Sequence, residues 1–215
     1  MKGALNISMN KELVTKLLAL PDVKLVAVSK KHTKEEIDEM AALGVNTFGE
    51  NRVQEFLEKY DPKYSWHIIG HLQTNKVKYL MGKVDLIESV DSLRLAKEIE
   101  KQAAKHDIIQ DILVEVRISK QDENKTGLNP DELGGLLEEI SSMPHLCLKG
   151  LMCIASHTDD EALVASEFDQ MKKWFDEYRR IYPTMEILSM GMSQDYPLAI
   201  EHGSNQIRVG TALFA

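Results

Sequence analysis

Short apolar runs rich in β-branched residues alternate with stretches of helical periodicity along the whole chain, and this alternation constrains the fold more than any other feature. The first run, Lys24 to Lys30, reads Lys-Leu-Val-Ala-Val-Ser-Lys. Further strand-like runs are Asn46–Gly49, Trp66–Gly70, Leu86–Val90, Asp111–Ile118, Leu146–Ile154, Met185–Met190 and Gln206–Val209. Between them the spacing predicts helices. Thr33–Leu43 opens with a capping-box pattern, Thr33 with Glu36, and is closed by Gly44. Asn51–Tyr60, Thr74 to about Met81, and a long helix capped by Asp91 or Ser92 and running to about His106 follow. Pro130–Ser142 is capped by Asn129 with proline at its first position. Asp159 to Tyr182 and Tyr196–His202 complete the series. Eight strands with seven intervening helices leave one helix missing, and Asn10–Leu20, placed to pack beside the last strand, can supply it. The expectation is an α/β fold, a parallel (β/α)8 TIM barrel in preference to an open doubly wound sheet. No linker or low-complexity tract interrupts it, so residues 1–215 are expected to form a single domain.

In such a barrel the C-terminal strand ends share one face, and functional side chains collect there. Lys30 ends the first strand, and burial at the rim of a core would disfavour its ammonium form and make the amine nucleophilic. A surface lysine at a strand end is the plain alternative. The second strand ends in Gly49-Glu50-Asn51, and the third carries His67 and ends in Gly70-His71-Leu72-Gln73. The fifth leads into Arg117, Ser119 and a polar loop through Asn124, Lys125, Thr126 and Gly127. The last two end in Gly191-Met192-Ser193 and Arg208-Val209-Gly210-Thr211, where small residues and hydroxyls suit a phosphate. A phosphate at one side of the mouth and an amine at the other match pyridoxal 5'-phosphate (PLP), with its aldehyde joined to Lys30 as a Schiff base. Arg208 would then face the pyridine nitrogen. A permanent cation there keeps the ring nitrogen unprotonated and makes the ring a poor electron sink.

Composition removes other classes. A net charge of -8 argues against a nucleic-acid partner, although Lys76, Lys78 and Lys83 form a local basic cluster. No apolar stretch is long enough to span a bilayer, and Met1 to Asn10 shows no secretory h-region, so a cytoplasmic location is expected. Cys147 and Cys153 lie about 20 Å apart along one extended run, too far for a disulfide or, with His145 and His157, a shared metal.

These segments together resemble the pyridoxal phosphate homeostasis protein family, the single-domain relatives of the alanine racemase N-terminal barrel. The resemblance is carried by Leu25-Val-Ala-Val-Ser-Lys30, Phe48-Gly-Glu-Asn51 with Val53-Gln-Glu55, and Trp66-His-Ile-Ile-Gly70 with Leu72-Gln73 and Asn75-Lys76. Lys149-Gly-Leu-Met152, Gly191-Met-Ser193 and Arg208-Val-Gly-Thr211 extend it to the last strand. It implies that Lys30, rather than Lys31, carries the cofactor. It also implies Met192, Ser193, Gly210 and Thr211 at the phosphate, Arg208 at the ring nitrogen and Asn51 in contact with the cofactor. The N-terminal region looks short for the family, and the chain stops at Phe214-Ala215, where relatives continue.

The racemases that share this barrel need a second domain and a tyrosine base from a partner subunit. Of Tyr60, Tyr64, Tyr79, Tyr178, Tyr182 and Tyr196, only Tyr196 falls near the phosphate loops. His67 reads as a satisfied core histidine, Glu50 as a base or a backbone anchor, and Trp174 and Phe175 as packing residues. The expected function is therefore PLP binding and homeostasis without efficient turnover, as a monomer, with apo PLP-dependent enzymes as recipients. The alternatives are a weak amino-acid racemase or isomerase and a phosphosugar-type barrel enzyme.

Overall fold

A computed structural model describes residues 9–121 and 126–215. Asn124 and Lys125 of the polar loop lie outside them. Eight parallel strands close into a barrel in chain order, with β1 hydrogen-bonded to β8. The strands are β1 (Lys24–Val28), β2 (Thr47–Glu50), β3 (Ser65–Ile68), β4 (Leu86–Val90), β5 (Gln110–Glu115), β6 (Leu146–Met152), β7 (Ile187–Ser189) and β8 (Gln206–Val209). Around them run α1 (Lys11–Leu18), α2 (Lys34–Ala42), α3 (Val53–Lys59), α4 (Leu93–Lys105), α5 (Leu133–Ser141), α6 (Glu161–Ile181) and α7 (Tyr196–Glu201). The expected third helix of the sequence is a 3-10 segment, Thr74–Tyr79, and Pro130–Glu132 is a second one leading into α5.

Helix starts follow local chemistry. Asn10, Thr33, Ser92 and Asp160 each accept a first-turn N–H on the side chain, satisfying donors that have no partner within the helix. Only half of the expected capping box forms: Glu36 turns to the His32 ring instead of returning to the Thr33 backbone. The N-terminal helix fills the vacant place in the ring, with Asn10 N–H bonded to Leu213 O beyond the last strand.

The main apolar core lies between barrel and helices, built on residues such as Phe48, Trp66, Ile87, Ile112, Phe168 and Leu188. The barrel interior is different. Leu86, Leu113 and Met152 form a small apolar cluster there, and the remaining space holds polar side chains. Ser189 on β7 bonds Glu88 on β4, and these two strands are not neighbours, so the contact crosses the lumen. Both cysteines are free thiols, Cys153 buried and Cys147 partly so. No helix among the described residues is long and apolar enough to cross a membrane.

Candidate functional site

The strand order brings four of the predicted segments onto one arc of the mouth, β7–β8–β1–β2. Lys30 and the phosphate loops are therefore neighbours, not opposites as the linear order suggests, because closure pairs β1 with β8. A Cβ on Gly210 would lie 2.9 Å from Val28 Cβ and 3.0 Å from Val28 O, so only glycine lets the last loop lie this close to the lysine strand. Ser193 Oγ receives the N–H groups of Gly210 (3.4 Å) and Ala212 (3.3 Å). Two backbone donors from the β8 loop thus converge on one hydroxyl of the β7 loop. Met192 N–H is held by Asp195, and Thr211 of the β8 loop is exposed.

Lys30 departs from expectation in one respect. β1 ends at Val28, so Lys30 stands on the following turn and its side chain is exposed rather than buried at a rim. What the structure supplies is rigidity. His32 N–H closes the turn onto Ser29 O, and Lys31 adopts φ 67° with its N–H on Glu55 Oε2 at 2.6 Å. Beneath lies a buried ion group that sequence reasoning missed. Lys59 Nζ contacts Ser29 O at 2.8 Å, Glu50 Oε1 at 2.9 Å and Glu55 Oε2 at 2.7 Å, while Ser29 Oγ donates to Glu50 Oε1 at 2.7 Å. Glu50 thus anchors the lysine turn and is no free base. Burial pushes its carboxyl upward, against the pull of Lys59 and Ser29. The signal available was Val53-Gln-Glu55 followed four residues later by Lys59, an i,i+4 pair.

Phe214 stacks on His32 at 3.8 Å, joining the β8 loop to the same turn. Asn51 follows β2, half-buried, and the end of β3 lies against it. A Cβ on Gly70 would come within 2.7 Å of Asn51 O.

Arg208, 2% exposed, points into the lumen with Nη1 on Ser189 Oγ (2.6 Å) and Nη2 on Cys153 O (2.8 Å). His67 is a satisfied interior histidine, with Nδ1 2.7 Å from Glu88 Oε2. Full burial pushes the Glu88 carboxyl up, but His67, Arg208 and Ser189 outweigh it and hold the group below the usual range. Glu115 goes the other way. Burial lifts it from 4.5 to about 7, with Thr126 opposing and Asp91 adding to the rise. A carboxyl raised on folding stabilises the fold while protonated, and that contribution fades as pH climbs from about 4.5 through about 7. Relative to Glu115→Gln, the wild type should lose about 3 kcal/mol of unfolding free energy between pH 4.5 and 8. Denaturant titrations of both proteins across that range check this, and a pH-independent difference would contradict it.

Other predicted rim residues lie elsewhere. Arg117 follows β5, away from the arc, and lines a cavity of about 700 Å³ with Ser119, Lys120 and Trp174. Phe175 is buried in packing, as the helical spacing suggested. Tyr196 begins α7 beside Gly191, and Tyr64 donates its hydroxyl to Asp38 on the outer face. Among the described residues, no cluster of three or more His, Cys, Asp or Glu could hold a metal ion.

Comparison with known proteins accords with this arrangement. Residues 6–215 match the family described as "Alanine racemase, N-terminal domain". A pyridoxal phosphate homeostasis protein of Aquifex aeolicus is 45% identical over 196 residues, spanning 89% of this chain and 86% of the relative. One from Helicobacter pylori is 41% identical over 198 residues, spanning 89% and 87%. The chain belongs to the pyridoxal phosphate homeostasis family. Among solved structures, PipY of Synechococcus elongatus PCC7942 with PLP bound superposes with a TM-score of 0.85 at 33% identity, covering 95% of this chain and 98% of that one. An alanine racemase of Clostridium difficile shares only the fold, at 16% identity and a TM-score of 0.76, and this chain covers 57% of it. On the barrel of this chain, the arc from β7 to β2 carries Lys30, Asn51, Ser193, Arg208 and Gly210 on neighbouring strands or the loops that follow them.

Proposed function

We propose that this chain binds PLP, holds it covalently on Lys30 and takes part in its intracellular homeostasis, without efficient turnover of amino acids. The observation that carries the reading is the convergence, on three adjoining strands, of an exposed amine, two backbone donors gathered on one hydroxyl and a buried guanidinium. The residues fit the cofactor by charge and type. Ser193, Gly210 and Thr211, with the Met192 loop, would hold the phosphate; Asn51 would flank the ring; Arg208 would face the ring nitrogen. PLP supplies an aldehyde that condenses reversibly with a primary amine. Lys30 supplies that amine on a turn fixed by Lys59, Glu50 and Glu55, so little orientation is left to arrange on binding. Arg208 presents a permanent cation, which gives the ring nitrogen no proton to share and discourages carbanion chemistry.

The names of the Aquifex and Helicobacter relatives and the PLP-bound PipY structure support the same cofactor for this chain. The reading extends to a cytoplasmic monomer made of one domain, with apo PLP-dependent enzymes as recipients. Adding PLP to purified protein should produce a yellow species at one equivalent per chain. Incubation of that species with L- and D-alanine in deuterated water should show no α-proton exchange at catalytic rates. Rapid exchange that depends on Lys30 would establish the racemase alternative instead.

A further inference from the structure

The lumen of a TIM barrel is ordinarily packed with layers of branched apolar side chains. In this chain a polar chain crosses it, His67 on β3, Glu88 on β4, Ser189 on β7, Arg208 on β8, and holding PLP on Lys30 makes no direct use of its first three members. Glu88 is 0% exposed, His67 2% and Ser189 0%. A buried carboxylate carries a desolvation cost that its partners must offset.

The hydrogen-bond directions are fixed by elementary donor counting. Glu88 offers acceptors alone, so Oε2 takes the Nδ1 proton of His67, and Oε1, at 2.6 Å, takes the single hydroxyl proton of Ser189. With its proton committed to Glu88, Ser189 Oγ has only lone pairs to present to Arg208 Nη1, 2.6 Å away. Arg208 Nη2 is pinned independently by Cys153 O at 2.8 Å. The guanidinium is thus held in one plane by two acceptors, and Glu88 fixes the orientation of one of them by taking its hydroxyl proton.

We propose that Glu88 is the positioning residue for Arg208: through Ser189 it fixes the plane of the guanidinium at the floor of the cofactor site. This inference rests on the reading that Arg208 meets the ring nitrogen of bound PLP. Glu88 does not itself touch the cofactor in this account. The charged and titratable groups facing it are His67 from β3, Arg208 from β8 and, at longer range, Glu115 from β5.

The test uses PLP-loaded wild type, Glu88→Gln, Ser189→Ala, Arg208→Lys and the double variant Glu88→Gln/Arg208→Lys. Loading at Lys30 is verified in each by borohydride reduction and peptide mass, and the midpoint of the pH titration of the long-wavelength absorbance is the readout. The three single variants should move that midpoint in the same direction by about one pH unit, a tenfold change in proton affinity. The double variant should move it no further than Arg208→Lys alone, because both changes act through one group. A purely structural role for Glu88 would lower thermal stability and leave the midpoint in place, and that outcome overturns the proposal. A midpoint moved by Arg208→Lys but unmoved by Glu88→Gln and Ser189→Ala does so while leaving the ring-nitrogen reading intact. A midpoint unmoved by Arg208→Lys removes that reading and the proposal with it, whereas failure of the wild type to load at Lys30 removes the proposed function. Ser189→Ala deletes one hydroxyl and carries the test alone if Glu88→Gln does not fold.

Discussion

Replacing Lys30 by alanine should abolish the long-wavelength absorbance expected of the PLP-loaded wild type, and should leave the unfolding free energy within about 0.5 kcal/mol. The two halves of this result come from one observation, the exposure of the side chain. A lysine that packs against nothing contributes little to stability. It is also the amine on the turn after β1, the strand against which the Gly210 loop closes. The adjacent Lys31→Ala is the control. Lys31 contributes a backbone N–H to Glu55, which the substitution retains, although its φ of 67° makes any side chain there a mild strain. Absorbance should survive in Lys31→Ala. Its loss there, with survival in Lys30→Ala, would reassign the anchor to the neighbouring residue.

Lys59→Met should have the largest effect on stability. Lys59 is 8% exposed and its ammonium joins two carboxylates and a carbonyl. Removing the cation leaves the fully buried Glu50 and the neighbouring Glu55 without a counter-charge, and Ser29 O with the His32 N–H alone. Breaking a buried ion pair from one side costs about 3–5 kcal/mol. For a chain of this size that corresponds to a fall in Tm of roughly 10 °C. The same substitution frees the turn that carries Lys30, so covalent loading with PLP should also slow. Thermal unfolding with and without PLP, together with the rate of absorbance growth, checks both effects. An unchanged Tm would mean that the group beneath the turn is energetically idle.

Much of this architecture can be read from the residues because strands and helices announce themselves differently. Leu86–Val90 and Gln206–Val209 appear in the structure with the bounds their apolar runs suggest. Longer runs overreach. Leu146 to Ile154 is apolar but for Lys149, yet pairing stops at Met152, since a strand ends with its partner's hydrogen bonds and not with its own hydrophobicity. Thr74 to Met81 carries a helical pattern, yet it winds as a 3-10 segment closed by Lys76 N–H on Gln73 O and Leu80 N–H on Val77 O.

The placement of the proposed site residues can be read from strand ends and glycine-marked loops. Lys30, Asn51, Ser193, Arg208 and Gly210 all lie on the β7–β2 arc. Two things were hidden. Closure of the barrel puts β8 against β1, which no linear pattern reveals. The inward or outward direction of each strand residue was also hidden, because helices cover one face and the lumen the other and both are dry. Glu88, in the middle of Leu-Ile-Glu-Ser-Val, therefore carries no mark of its role in the lumen. Lys59, one lysine among many on amphipathic helices, looks like a solvated charge until α3 folds over the turn.

The central claim is that one amine of this chain holds the cofactor. Borohydride reduction of the PLP-loaded protein, followed by proteolysis and peptide mass spectrometry, tests it most directly. A single pyridoxyl adduct is expected, at Lys30, on the peptide that contains Val28 and Ser29. An adduct spread over surface lysines, or located on any other single residue, would contradict it.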